Sequence, residues 1–276
     1  MPAEYHCHCN YCAGHNYLGE LRPADKTYYN RLDRRKYYSP IELASLEAGH
    51  IAKTPLHIAR WAIQSFTRKG DWVLDPTAGA GTTLVEAIHQ NRNAVGVEIE
   101  FIDVIKENVS HALTLHPGAL SAVIHGDARN ITDLLYRLST KSKFALIVNN
   151  PPYWGDQSQY AIGGERYSYD TSRANLAFLK EGTAYWETIE KIYADCVKHL
   201  KKGGYFVIGV KDQMRNKKSD QLHEKFADLL TKRLALEYIG TALLKHYPTT
   251  LHLNTYEKRT GVKPPLYQSI LVAKKP

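Results

Sequence analysis

The passage from Trp72 to Thr83, Trp-Val-Leu-Asp-Pro-Thr-Ala-Gly-Ala-Gly-Thr-Thr, narrows the fold more than any other. Trp72-Val73-Leu74 reads as a short buried strand, a Gly-rich turn follows, and residues 82–90 read as a helix. Gly79 and Gly81 allow a sharp turn and a close backbone approach to a ligand. The helix start behind the turn offers unpaired N–H groups to an anion. A dinucleotide site wants a third glycine in the spacing G-x-G-x-x-G, where this chain has Thr83-Leu84. A phosphate-binding P-loop wants Gly-Lys-Ser/Thr, and no lysine is present here.

The rest of the chain from residue 50 repeats this strand-then-helix unit. Thr54-Pro55 predicts a helix start, with Thr54 as cap and Pro55 in the first turn. Ile58, Ala62, Ile63 and Phe66 then recur at helical spacing. Strands are predicted at 94–99, 121–125, 144–148 and 205–210, with more strand material at 236–244 and 269–273. Helices are predicted at 102–113, along Ile189 to Leu200 with Gly203-Gly204 ending it, and around Leu222 to Leu230. Such alternation predicts an α/β fold: a Rossmann-like, mostly parallel sheet with helices on both faces. Ligands in such sheets bind at the carboxyl ends of strands.

Two sets of residues fall at those ends. The Asp75–Thr83 turn, with Thr77, Ala78, Gly79, Gly81, Thr82 and Thr83, suits the methionine moiety of S-adenosylmethionine. Glu98 ends the next strand, 23 positions beyond Asp75, where an acidic residue holds ribose hydroxyls. Glu100 competes for that role. Ile99 is placed to pack on the adenine face, and Asp127 to accept from the adenine amino group.

The second set is Asn149-Asn150-Pro151-Pro152-Tyr153, closing the 144–148 strand, which proline cannot continue. Asn149 is grouped with the cofactor residues and the next four are the candidate catalytic tetrad. An exocyclic base amine has its lone pair delocalised into the ring. Acceptors on its two N–H groups can localise that pair for attack on a methyl group. The Asn150 side-chain oxygen and the Pro151 carbonyl are candidate acceptors, with proline stiffening the backbone. Tyr153 offers a stacking face to a base taken out of its helix. Positioning and electrostatics then carry the chemistry without a covalent nucleophile.

The resemblance is to the amino-group DNA methyltransferases, which modify adenine N6 or cytosine N4, and it covers roughly residues 50–275. Asp75-Pro-Thr-Ala-Gly-Ala-Gly-Thr-Thr resembles the family's D-P-F-x-G-x-G-T-T, and Asn150-Pro-Pro-Tyr its [D/N/S]-P-P-[Y/F/W]. His50 to Pro55 is similar to the cofactor segment H-P-x-x-K-P, with Lys53 and Pro55 kept at altered spacing around Thr54. The resemblance implies cofactor roles for Asp75, Gly79, Gly81 and Glu98, and amine recognition by Asn150, Pro151 and Tyr153. The motif order resembles the gamma arrangement, in which Asn-Pro-Pro-Tyr goes with adenine N6. Pro-Pro-Tyr-Trp-Gly is instead similar to the cytosine-N4 enzymes.

The formal charge of +8 and the pI of about 9.1 favour a polyanionic partner. Nucleic acid is the expected partner, DNA ahead of RNA. No separate target-recognition domain is apparent. Residues 154–183 are too long for an ordinary connection and are expected to be a target-recognition insertion. Lys211, Arg215, Lys217 and Lys218 either touch phosphates or form a solvated loop. An RNA base methyltransferase, an inactive binding subunit and a protein glutamine methyltransferase remain as alternatives.

Residues 1–48 are expected to be an N-terminal appendage to a methyltransferase domain over 49–276. Cys7, Cys9, Cys12 and His15 crowd there as C-x-C-x2-C-x2-H. They read either as a structural zinc site or as reduced thiols on an arm. No apolar run long enough to span a membrane occurs, the start does not read as a signal peptide, and a cytoplasmic protein is expected.

Overall fold

The computed structural model describes residues 54–138, 143–153, 182–212, 218–246 and 265–276. It also describes shorter pieces at 9, 11–12, 16–21, 176, 179, 214–215, 254–258 and 261–263.

The strands that carry the two motifs are the centre of the sheet. They are β2, Trp72–Asp75, and β5, Phe144–Asn149, which run parallel with Val73 opposite Leu146 and Leu74 opposite Ile147. Their residues are apolar in succession because helices cover both faces, so each neighbour in the strand meets a different core. Leu146 and Val148 pack into one apolar cluster, while Phe144 and Ile147 pack into the other.

On the first face lie α1 (Leu56–Phe66), α2 (Thr82–His89) and α3 (Ile102–Leu115). Arg60 on α1 reaches the buried Glu86 on α2, Nε to Oε2 at 3.0 Å, tying the two together. On the second face lie α4 (Ile131–Tyr136), α5 (Thr183–His199) and α6 (Leu222–Asp228), which runs into a single π-helical turn at Leu229–Arg233.

The remaining strands are β1 (Tyr17–Leu21), β3 (Asn93–Glu98), β4 (Ser121–His125), β6 (Leu200–Val210), β9 (Glu237–Lys245) and β10 (Tyr267–Lys274). A small hairpin, β7 (Met214–Arg215) with β8 (Lys218–Ser219), stands apart from the sheet. The eight-stranded order is β1-β9-β10-β6-β5-β2-β3-β4. β10 runs antiparallel to β6 and β9, and the other neighbours are parallel. The fold is thus the expected Rossmann-like α/β sheet. The chain winds outward from β2 through β3 to β4, then returns to the other side of β2 as β5. This reversal falls at the carboxyl ends of β2 and β5, the place where such sheets bind ligands.

Three local expectations shift. The extended ψ of 124° at Pro55 makes it the residue before α1, with its carbonyl accepting from Ile58 N–H, so Thr54 stands one residue outside the cap position expected for it. Helix α5 ends at His199, not at Gly203-Gly204, because Leu200 is already extended and pairs with Phe144. Gly203 and Gly204 lie within β6, where a register shift between the Phe144 and Leu146 pairings absorbs the extra residues. Strand β1, finally, falls within residues 1–48, where the sequence predicts no strand. It is an edge strand, only partly buried along its length, so its residues alternate weakly. Among the described residues, no helix is long and apolar enough to cross a membrane.

Candidate functional site

The two motifs meet through one buried side chain. Asn149, the last residue of β5, donates from Nδ2 to Asp75 Oδ1 at 3.2 Å and to Thr77 Oγ1 at 2.7 Å. Its Oδ1 accepts from Tyr193 OH on α5 at 2.7 Å. Asp75, the last residue of β2, also accepts from Thr77 N–H at 3.2 Å and from Thr83 Oγ1 at 2.6 Å. Burial pushes the Asp75 carboxyl up to about 6, against the opposing pull of the bonds from Thr83, Thr77 and Asn149; the nearby Glu98 charge adds to the rise. Burial likewise lifts the Tyr193 hydroxyl well above its ordinary value, so it stays a donor.

The loop between Asp75 and α2 is held from three sides. Ala78 N–H donates to Val97 O at 2.9 Å, and Asn108 of α3 donates from Nδ2 to Ala80 O at 2.8 Å. Gly81 has φ +87°, and a Cβ there would lie 2.8 Å from Ile105 Cγ1, so both conformation and space demand glycine. Glu98 closes the loop from β3. Its Oε2 accepts from Gly79 N–H at 2.6 Å, and its Oε1 accepts from the N–H groups of Ile99, Glu100 and Phe101. Glu98 is therefore the residue held at the loop, and Glu100 contributes a backbone N–H to it. Asp127, after β4, caps the following turn by accepting from Arg129 N–H at 2.9 Å and pairs with the Arg129 guanidinium.

These groups fit an adenosyl amino acid. A helix start behind a tight loop supplies donors for a carboxylate. Carboxylates at and just beyond the ends of β3 and β4 are the kind of group that pairs with ribose hydroxyls and an adenine amine. A carboxylate oxygen accepts two bonds, and Glu98 Oε2 takes one from Gly79. Pro55 lies buried at the start of α1, which packs on α2. Lys53 lies outside the described residues.

The tetrad leaves β5 on the opposite side of the junction. Asn150 Oδ1 receives Gln268 Nε2 of β10 at 3.4 Å. A Cβ on Gly209 of β6 would lie 1.9 Å from that same oxygen, so glycine at this position makes the room for the Asn150 amide. Pro152 O accepts from Tyr185 OH of α5 at 3.0 Å. Tyr153 OH accepts from Lys211 N–H at 2.7 Å, just past the end of β6. Beside these groups, burial pulls the His246 imidazole down to about 2, with the Lys211 charge adding to the effect and a bond from Gln268 opposing it. Gly209, Gln268, Tyr185, Tyr193 and Asn108 were not singled out from sequence. Their partners lie on distant elements, and no local spacing announces them. Pro151 is buried at the turn.

In the N-terminal segment, Cys9 and Cys12 converge with His223 of α6, their ligand atoms all within 4.8 Å of one another. Cys7 and His15 lie outside the described residues, as do Lys217 and most of 154–183.

The N6_N4_Mtase family model, described as DNA methylase, matches residues 19–107, which is under half of the chain. The type II methyltransferase M.MthZI of Methanothermobacter thermautotrophicus is 38% identical over 66 residues, 23% of this chain and 19% of that protein. The type II methyltransferase M.BglI of Bacillus subtilis is 44% identical over 62 residues, 22% of this chain and 18% of that protein. The chain thus spans about a fifth of the length of these relatives in the matched stretch. Among solved structures, a TehB-like SAM-dependent methyltransferase from Corynebacterium glutamicum aligns with 90% of this chain and 100% of that one, at 16% identity and a TM-score of 0.45. The chain resembles the amino-group DNA methyltransferases. The Asn150–Tyr153 tetrad lies beyond the stretch matched by the family model.

Proposed function

We propose that this chain transfers the methyl group of S-adenosylmethionine to an exocyclic amine of a DNA base, adenine N6 ahead of cytosine N4. The observation that carries this reading is the Asn149–Asp75 contact, which joins the Gly-rich loop to the tetrad across the sheet's reversal point. A cofactor methyl and a base amine must meet in line, and these are the two adjacent strand ends from which each partner would be held.

S-adenosylmethionine supplies an electrophilic methyl carbon on a sulfonium. The residues of this chain do the rest. The loop from Asp75 to Thr83 and Glu98 orient the cofactor. Asn150 Oδ1 and the Pro151 carbonyl accept from the two amine hydrogens. Transfer of the methyl group from sulfur to the amine nitrogen would build positive charge on that nitrogen, facing Asn150 Oδ1 and the Pro151 carbonyl. Both hydrogen bonds then strengthen, which favours the transition state over the ground state. The extra proton leaves to water after transfer. Tyr153, anchored by Lys211 N–H, gives the extruded base a fixed ring to stack on. Residues 154–183 and the basic residues Lys211, Arg215, Lys217 and Lys218 are the parts of this reading that meet the nucleic acid.

The test incubates the purified chain and labelled S-adenosylmethionine with duplex DNA, single-stranded DNA and total RNA, and identifies the modified nucleoside by mass spectrometry. N6-methyladenine or N4-methylcytosine in DNA is expected. Label confined to RNA moves the acceptor to an RNA base, and no modified nucleoside in either nucleic acid overturns the reading.

A further inference from the structure

We infer that Cys9, Cys12 and His223 form a zinc site that fastens the N-terminal segment to α6. The two cysteines sit on a tight turn, with Cys12 N–H donating to Cys9 O at 3.1 Å. The histidine lies more than two hundred positions away in sequence. Cys9 Sγ stands 3.5 Å from His223 Nε2, and all three ligand atoms lie within 4.8 Å of one another. Zinc bound tetrahedrally to sulfur at about 2.3 Å and to nitrogen at about 2.0–2.1 Å sets the two ligands about 3.5 Å apart.

A second observation points the same way. His223 Nδ1 contacts Asp212 Oδ2 at 2.6 Å, and Asp212 Oδ1 accepts from His223 N–H at 3.0 Å. A carboxylate on Nδ1 fixes the tautomer whose Nε2 carries the lone pair, and that nitrogen is the one facing the sulfur. This is the outer-shell arrangement that orients a metal-bound imidazole. His223 is 2% exposed and Cys12 is 1% exposed, with Cys9 half-buried beside them, so two of the three ligands are held inside the fold. The chain between the cysteines is held in place independently, since Tyr11 O accepts from Tyr238 OH and Thr241 Oγ1 at 2.9 Å each. A zinc ion here leaves one position of its tetrahedron to water or to a further donor. It also ties down Asp212, the neighbour of the Lys211 whose N–H holds Tyr153. The role inferred for the ion is to fasten the N-terminal turn to α6, and it stands whether or not the methyl-transfer reading does.

The test measures metal in the full chain as purified, by inductively coupled plasma mass spectrometry, and the absorption spectrum after exchange for cobalt(II). One zinc per chain is expected, together with thiolate-to-cobalt charge-transfer bands. Cys9→Ser and His223→Asn are each expected to lose the metal. Asp212→Asn is expected to keep the fold and weaken zinc binding roughly 10–100-fold. A wild-type chain that carries no zinc and takes none up on reconstitution overturns the inference. So does His223→Asn retaining one zinc, which would hand the ion to the cysteine-rich segment alone. If His223→Asn fails to fold, the wild-type cobalt spectrum and the Asp212→Asn affinity decide the matter.

Discussion

The side-chain amide of Asn149 lies 3.2 Å from the carboxylate of Asp75, and this contact ties β5 to β2 where the sheet reverses direction. Both residues are buried, and Asn149 spends its oxygen on Tyr193 of α5 as well. Three elements therefore share one amide. Asn149→Ala leaves the Tyr193 hydroxyl and an Asp75 lone pair without that partner inside the protein. A loss of about 2–4 kcal/mol in unfolding free energy is expected. Urea denaturation followed by circular dichroism checks it, and a change below ~0.5 kcal/mol would show that the junction is not held by this residue.

The Asp75 carboxyl governs a pH dependence of stability. Its folded value of about 6 exceeds the ordinary 3.8, so between those values the folded chain binds more protons than the unfolded one. Stability therefore falls as pH rises from about 4 to about 6, by an amount on the order of 3 kcal/mol. Asp75→Asn removes this slope while leaving an oxygen for Asn149. Midpoints of urea unfolding between pH 4 and pH 7, compared for the two chains, test the point; equal slopes would mean that another group is responsible.

Asn150 and Gly209 are one unit in space. Asn150→Ala is expected to lower kcat by on the order of 10²-fold with S-adenosylmethionine binding unchanged, since one acceptor of the reacting amine is gone. Gly209→Ala puts a methyl where the Asn150 oxygen sits and is expected to show a comparable loss with the Asn150 side chain chemically intact. Isothermal titration with the cofactor separates both from a folding defect. Full turnover in Asn150→Ala would falsify the acceptor role.

Tyr153 has a ring and a hydroxyl with separable tasks. Tyr153→Phe keeps the ring and loses the acceptor for Lys211 N–H, so a stability cost of about 1–3 kcal/mol is expected with most activity retained. Tyr153→Ala removes the stacking surface. The KM for DNA is expected to rise about 5- to 150-fold, in line with about 1–3 kcal/mol per stacked base. If the phenylalanine and alanine variants raise KM equally, the hydroxyl and not the ring meets the substrate.

What the sequence determined by itself is local. The loop glycines, the acid ending β3 and the tetrad after β5 each follow directly on the apolar run of their own strand, and Gly and Pro mark where those runs stop. The strand–helix alternation then leads to a doubly wound sheet, and such a sheet brings strand ends together. What tertiary structure alone decided is which side chains serve those ends. The motif groups Asn149 with the cofactor residues and Asn150 with the tetrad, but only the fold makes one a buried strut to Asp75 and turns the other toward Gln268 and Gly209. Strand β1 escaped notice because an edge strand is only half covered and has no face that must be apolar. His223 stood in an ordinary helical stretch, and only the docking of the N-terminal turn beside α6 made it a partner of Cys9 and Cys12. Periodicity records burial along one element, whereas hydrogen bonds and metal ligands join elements far apart in sequence, so the first is written in the chain and the second only in the fold.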